Sequence, residues 1–542
     1  MLTVLVAAAL SGLTPASAAL GAPPKSGSSC LLALAGLEVP LTATLPFAPR
    51  DVLREDENEL EGADAQALAS DPEALAPLQR TPPPARAVLP ETEIVIAAMG
   101  DIIPHALLQA QAAQHPLGFR SLWRNLEPVL QRADIRYANL ETPLAEGIPA
   151  EGAKVADPVA GYDGLVYSGY PRFNAPPGLA HALKASRFDI VSTANNHCLD
   201  RGAIGIDLTI AALRGAGLAL TGTRSRDADP GAPWHAITEA RGFRIAWLAC
   251  TYGTNGFSDR HGQVLHCYRD RPLILRTIAQ LKADPRIDAV IVTPHFGIEY
   301  SENPTPAQKV LARQMLKAGA IAVLGSHSHV VQPWEWRPTG DGGTGFILYS
   351  LGNFVSNQEQ LWTRSALILL LGLARAVSGE VVISGVGYLP ILVALQPDAD
   401  HTDLSVQLAS ATHPTSQANW CHVVDRLGTA ALQAQPAVFT TFATPSPGPG
   451  AAPGPALAYE GQQAIGVAAA ASDQAAENAE GASLTIAPGL ADVQTEHNSG
   501  PVEDGQISPT GEAGFFNLVL TSQPEGPASP PQTKPAEGRA GL

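Results

Sequence analysis

Six short apolar runs rich in Val, Ile, Leu or Ala each end in a carboxylate, an amide or an imidazole, and this pattern most constrains what the 542-residue chain can fold into. EIVIAAMG leads to Asp101, RADIRYANL to Glu141 and RFDIVSTA to Asn195-Asn196-His197. IDAVIVTP leads to His295, GAIAVLGS to His327 and His329, and FILYSLG to Asn353. Runs of this length between polar turns read as buried strands, and the helical segments between them give the alternating order of an α/β domain. TPAQKVLARQMLKAGA (305–320) is the clearest helix: Val310, Leu311, Met315 and Leu316 share a face, and Gly319 is placed to stop it. ALILLLGLA (366–374) has the length of a buried strand and is too short for a membrane span. Ligands of open α/β sheets sit at the carboxyl ends of strands, so the six polar ends are expected to converge on one site.

Asp, Glu, Asn and several His together describe a site for a divalent transition metal such as Mn, Fe or Zn. Such sites polarise a phosphoryl oxygen and activate water. In GSHSHV two histidines stand at i and i+2 after a strand; they reach one site if the backbone leaves the strand there, as a metal loop does. The other ten histidines (105, 115, 181, 235, 261, 266, 401, 413, 422 and 497) read as packed or hydrogen-bonded. Five cysteines without a CxxC pair exclude a disulfide scaffold and a thiolate zinc site, and the odd count leaves a thiol free unless it pairs between chains.

GDIIPH, ANLETPL, ANNHCLDRG, PHFGIEY, GSHSHVVQPWEW and YSLGNFVSNQ follow one another in this order. Over roughly residues 93–360 the chain thereby resembles the bacterial capsule-synthesis family CapA, named for poly-γ-glutamate capsule formation, which is similar to the calcineurin-like metallophosphoesterases. The resemblance implies a β-sandwich flanked by helices (αββα) with metal ligands on strand-end loops. It implies Asp101, Glu141, Asn196, His295, His327 and His329 as ligands of one or two ions, and His197 as the group that protonates the leaving group. Asn139, Asn195 and Glu299 are implied as supports, Glu299 by orienting a histidine; Asn353 and Ser350 are expected to line the site toward substrate. Asp200 is expected to line the site or support its ligands, with capping of the helix AIGIDLTIAALRGAG as the favoured use. TYGTNG (251–256) also resembles a family loop, and Arg172, in a Tyr-, Gly- and Pro-rich stretch, could hold an anionic group. The chain departs from the wider pattern in three places: Ile103 stands where D-x-H has its histidine, Glu141 replaces the bridging Asp, and Ser328 stands where the family commonly has Pro. The first departure predicts an under-liganded ion, hence a single-metal or weakly dinuclear site.

The flanks read differently. Residues 1–18 carry an apolar stretch and an Ala-Ser-Ala cleavage pattern without a positive n-region, an atypical signal peptide that predicts export to the periplasm or beyond the cell. Residues 19–90 read as linker or loosely packed preface, 91–400 as the main domain, 401–439 as its extension, and 440–542 as an acidic low-complexity tail expected to stay unfolded, with GFFNLVLTS as its one apolar island. The net charge of −17 excludes bulk attraction to nucleic acid or anionic membrane, and no run is long enough to span a membrane. The expected function is metal-dependent phosphoester hydrolysis in cell-surface polymer biosynthesis, with an anionic or phosphorylated polymer as substrate and a polymer synthase as possible partner. The competing expectation is a non-catalytic accessory that binds the polymer or its synthase.

Overall fold

The computed structural model describes residues 62–82, 88–158, 161–393 and 403–432. The predicted signal segment, the first part of the preface and the tail with GFFNLVLTS lie outside the described residues. In chain order the strands are β1 (Val88–Ile102), β2 (Ile135–Leu140), β3 (Ile190–Ser192), β4 (Ala219–Thr221), β5 (Ala236–Ala240), β6 (Phe243–Thr251) and β7 (Ala289–His295). There follow β8 (Ala322–Leu324), β9 (Trp334–Pro338), β10 (Thr344–Leu348), β11 (Asn353–Val355), β12 (Ser365–Ala376), β13 (Val381–Leu392) and β14 (Gln407–Leu408). The helices used below are α1 (Gly62–Ala69), α2 (Ala106–Gln114), α3 (Gly178–Ala185), α4 (Gly202–Gly215), α5 (Arg271–Ala283), α6 (Pro306–Lys317) and α7 (Gln417–Leu427).

The strands form two sheets. One runs β14-β13-β12-β1-β2-β3-β4, with β11 beside the end of β1; the other runs β5-β6-β7-β8-β10-β9. β1 to β4 are parallel neighbours, as are β6, β7 and β8, so their carboxyl ends share an edge. The period-2 alternation of strands explains the layering. On β6 and β7, Ile245, Trp247, Ala289 and Ile291 enter the core shared with the first sheet. Their neighbours Ala246, Leu248, Val290 and Val292 face α5 and α6 through Ile274, Ile278, Leu311 and Met315. Tyr137 of β2 stacks on Trp247 of β6 with ring centroids 5.3 Å apart, closing the sandwich. The first sheet is lined by Leu108 of α2, Leu179 and Leu183 of α3 and Leu213 of α4. The helix-flanked sandwich expected from the sequence is therefore present.

ALILLLGLA is the centre of β12, and every residue from Ser365 to Ala374 is buried, as a strand covered on both faces requires. The helix expected over 305–320 is α6, opened by a Thr305/Gln308 capping box and followed by Gly319 at φ +117°. Residues 62–82, inside the stretch read as linker or loose preface, pack on this domain. Ala65, Leu68 and Ala74 join the core around α6, Trp336 N–H donates to Gln79 O, and Lys309 Nζ donates to Ala74 O. Alternating small apolar residues in a charged stretch hid this docking from composition alone. Among the described residues, no helix is long and apolar enough to cross a membrane.

Candidate metal centre

Strand register delivers the first polar side chains. Asp101 is paired with Asn139 of β2 on one side and with Asn353 of β11 on the other. That approach needs a glycine before Asp101: a Cβ on Gly100 would meet Gly352 O at 1.7 Å. On the second sheet His295 ends β7 opposite Thr251 and bridges to Ser326. After β8 the backbone leaves the strand, with His327 at φ 96° and His329 at φ 58°. A left-handed conformation costs a non-glycine residue on the order of 1–3 kcal/mol and persists where the surroundings enforce it. Here it brings both imidazoles to the same edge, as the GSHSHV spacing required.

Two groups of possible ligands result: Glu141 with His295 and His327, and Asp101 with Glu141 and His329; within each, the ligand atoms lie within 4.8 Å of one another. Glu141 belongs to both. His295 Nε2 lies 2.9 Å from Asn196 Oδ1 and 3.5 Å from Glu141 Oε1, which adds an amide oxygen to the first group. Asp101, Glu141 and His295 are fully buried, and His327 and His329 are 2% exposed. Supporting groups fix the rings. His295 Nδ1 faces Ser326 Oγ at 2.9 Å, and His329 Nδ1 faces Asn353 Oδ1 at 3.1 Å. The Asn139 amide donates to Asp101 Oδ1 (2.8 Å) and accepts from Ser192 Oγ (2.7 Å). Asn195 donates to Leu140 O at 2.7 Å.

The electrostatics call for a cation. Burial, then the charges of Asp101 and Glu299, push the Glu141 carboxyl well above its ordinary pKa. Burial, then the neighbouring imidazoles, hold His295 and His327 well below theirs, so both are neutral donors. At His329 burial lowers the pKa, but the Asp101 hydrogen bond and the charges of Glu299 and Asp101 outweigh it. Glu141 Oε1 and His327 Nδ1 are buried without a hydrogen-bond partner. Such atoms carry a desolvation penalty of about 1–3 kcal/mol each unless something else binds them. Neutral imidazoles, carboxylates and orphaned acceptors fit a divalent transition ion.

Beside the ligands stands His197. Its Nδ1 faces Asp200 Oδ2 at 2.7 Å, which leaves Nε2 as the ring nitrogen free of protein partners. Asp200 was expected to cap α4; it does not. The residue at the cap is Arg201, without a side-chain bond to the helix, and Asp200 instead receives the Phe173 N–H at 2.7 Å and orients His197. A fully buried carboxylate is held more firmly by these two donors than by an exposed helix end. Glu299 is half-buried and hydrogen-bonds no histidine, acting on Glu141 and His329 through its charge. Asn353 does not present its amide to a substrate: Oδ1 faces His329, and Nδ2 donates to Gln358 Oε1 and Thr363 O. Ser350 Oγ is taken by Gly352 N–H in the turn.

Sequence reasoning marked the loop after β6, TYGTNG (251–256), only as resembling a family loop and gave its residues no role. Tyr252 lies over His327 with centroids 4.3 Å apart, and Asn255 Nδ2 reaches His197 Nδ1 at 3.4 Å. A Cys250–Cys267 disulfide ties the ends of this loop together, and Cys198 is a free, buried thiol. The signal was present: FRIAWLACT is a seventh apolar run followed by polar residues, but it leads to Tyr252 rather than to a charged or imidazole group.

Residues 95–358 match the family model described as bacterial capsule synthesis protein PGA_cap. A capsule biosynthesis protein CapA of Bacillus anthracis is 29% identical over 255 residues, 45% of this chain and 55% of the relative. A PGA biosynthesis protein CapA of Bacillus subtilis (strain 168) is 27% identical over 276 residues, 49% and 64%. A probable polyglutamine synthesis accessory protein of Mycobacterium tuberculosis (strain ATCC 25618 / H37Rv) is 30% identical over 267 residues, 45% and 62%. The chain thus spans between about half and two thirds of the length of these relatives. Among solved structures, the Haemophilus influenzae NAD nucleotidase superposes with a TM-score of 0.32 at 10% identity, over 63% of each chain. A purple acid phosphatase from yellow lupin gives 0.23 at 12% identity, over 61% of this chain and 59% of that one. Likenesses this low have no bearing on activity.

Proposed function

Residues 95–358 belong to the bacterial capsule-synthesis family, and from that premise we propose that this chain is an exported, metal-dependent phosphoesterase of cell-surface polymer assembly. The observation that carries the reading is the shared, buried Glu141, with an orphaned Oε1, beside the oriented His197–Asp200 pair. Glu141, Asn196, His295 and His327 would hold one ion, and Asp101, Glu141 and His329 a second. Mn, Fe or Zn suit these donors. A bound ion supplies Lewis-acid polarisation of a phosphoryl group. The chain supplies the rest. Asp200 fixes the His197 tautomer with the proton on Nδ1 when the ring is neutral and stabilises the imidazolium when it is charged. His197 Nε2 is then the atom that carries a proton to the leaving oxygen. Tyr252 packs over His327 and holds that ring in place. Export accords with the Cys250–Cys267 disulfide, since such bonds persist in oxidising compartments.

The test is substitution of His197 by Ala. Turnover of alkyl phosphoesters should fall roughly 10²–10⁴-fold with metal content unchanged, and the loss should shrink for nitrophenyl phosphate, whose leaving group needs no proton. A second reading has its own observation. Ile103, buried, stands where the wider phosphoesterase pattern has a histidine, and the Asp101 group comprises Asp101, Glu141 and His329. That group then offers three protein ligands and would suit a protein that binds polymer or synthase without turnover. Metal-loaded wild-type protein that hydrolyses no phosphoester, with a surface role that survives His197→Ala, would establish that reading instead.

A further inference from the structure

Two arginines stand beside the His197–Asp200 pair, and they differ in how their donors are used. A guanidinium carries five N–H donors in a rigid fork. Arg201 commits all three of its nitrogens: Nε to Ile148 O, Nη1 to Asp200 O and Arg172 O, Nη2 to Ser168 Oγ and Val166 O. It is 2% exposed and holds the loop together. The Arg172 guanidinium makes a single hydrogen bond among the described residues, Nη2 to Asp200 O at 3.1 Å. Its Nε is buried without a partner, and no carboxylate pairs with it among the described residues. The side chain is only half-buried, so Nη1 and the outer edge of the fork face solvent.

The surroundings suit recognition better than scaffolding. The guanidinium lies over the Phe257 ring, 5.2 Å from its centroid, on the loop whose Asn255 reaches His197 and whose Tyr252 covers His327. Stacking on an aromatic face holds the fork in place while leaving its donors free. Phe173 packs edge-on against His197 at 4.8 Å, and Tyr170, largely exposed, packs on Phe173 at 6.5 Å. Arg172 is therefore a fixed cation without a carboxylate partner among the described residues, at the His197 side of the centre.

We propose that Arg172, backed by Phe257, binds a second anionic group of the substrate, a carboxylate or a second phosphate, carried by the leaving group. The assignment to the leaving group rests on the phosphoesterase reading, in which His197 marks that side. Arg172 touches substrate away from the reacting atoms and sets specificity.

The experiment uses full-length, manganese-loaded protein and three substrates with similar phenol leaving groups: phenyl phosphate, meta-carboxyphenyl phosphate and meta-phosphonophenyl phosphate. The wild type should prefer one or both of the charged pair. Arg172→Gln should reduce that preference, as a ratio of kcat/KM values, roughly 10–100-fold, the worth of a charge-assisted fork. Arg172→Lys should recover part of it, because charge is kept and the fork is lost. The charged substrate whose ratio falls further identifies carboxylate or phosphate as the source. An equal loss on all three substrates, or no wild-type preference, overturns the proposal and makes Arg172 a loop brace. Failure of the phosphoesterase reading shows separately, as absence of turnover. In that event, calorimetric titration with phenyl phosphonate and meta-carboxyphenyl phosphonate still decides: a ratio of Kd values unchanged by Arg172→Gln or Arg172→Lys overturns the subsite.

Discussion

Two clusters of buried charge among the described residues make a contrast, because only one of the two is complete. Around Glu335, fully buried on β9, Arg313 donates from Nε and Nη2 at 2.8 and 3.0 Å, Tyr349 from its hydroxyl at 2.5 Å, and Arg337 from Nε at 3.1 Å. Arg313 also donates to the carbonyls of Glu73 and Ala76, which ties down the segment after α1. Asp101 and Glu141 are buried to the same degree, yet among the described residues no arginine or lysine pairs with either, and Glu141 Oε1 has no hydrogen-bond partner. Burial of a charge is tolerated where it is paired or coordinates a metal. The first cluster takes the former route with the chain's own cations. The second is built for the latter.

The largest expected effect follows from Glu141, the residue common to both ligand groups. Glu141→Ala should abolish metal retention through gel filtration, read by elemental analysis, whereas Glu335→Gln should leave metal content at the wild-type level. Equal retention in Glu141→Ala would erase the distinction between the clusters. Next in size is Arg313→Met, which strands Glu335 without its fork. Breaking one side of a buried pair costs about 3–5 kcal/mol, so urea denaturation of metal-loaded protein should show that loss. Replacing Glu335 by Leu in the same background should return most of it, since no charge is left stranded. A smaller effect separates the clusters by sign. In chelated protein Asp101→Asn removes one of two facing buried carboxylates and should raise stability by about 1 kcal/mol; in metal-loaded protein it should lower it.

The complete and the incomplete cluster were unequally legible. The six polar strand ends announced the incomplete one because each lies beside an apolar run, where a polar residue needs a reason. His327 and His329 were legible as a pair because GSHSHV follows a strand directly. The complete cluster gave no such sign: Arg313, Glu335 and Glu73 are far apart in sequence, and each reads alone as an exposed charge. Asp200 was read as a helix cap because local spacing favours that use, while its true partners, His197 and Phe173 N–H, depend on a long-range approach. The roles of Tyr252 and Phe257 were hidden for the same reason, although TYGTNG was legible as a family-like loop; nothing local distinguishes an aromatic over a metal ligand from an aromatic in a core.

The smallest predicted effect is the most discriminating, because the two clusters should answer pH with opposite slopes. At Glu335, burial raises the pKa, but the Arg313 and Tyr349 hydrogen bonds outweigh it and the folded value lies below the ordinary one. Its contribution to stability is therefore fully present above the unfolded pKa of about 4.3 and is lost as pH falls through the folded value. At Glu141 the folded value is raised well above the ordinary one. In metal-free protein the folded state then holds a proton that the unfolded state has released, so stability falls as pH rises from about 4.3 toward the folded value. Urea denaturation between about pH 7 and pH 3 on chelated protein measures both. The wild-type advantage over Glu335→Gln should shrink as the solution becomes more acid. The wild-type disadvantage against Glu141→Gln should shrink over the same acidification, because protonation removes the buried charge that the variant lacks. A wild type that loses ground on acidification against Glu141→Gln, as it does against Glu335→Gln, would mean that Glu141 is satisfied by the protein itself, and the case for a cation at its Oε1 would fall with it.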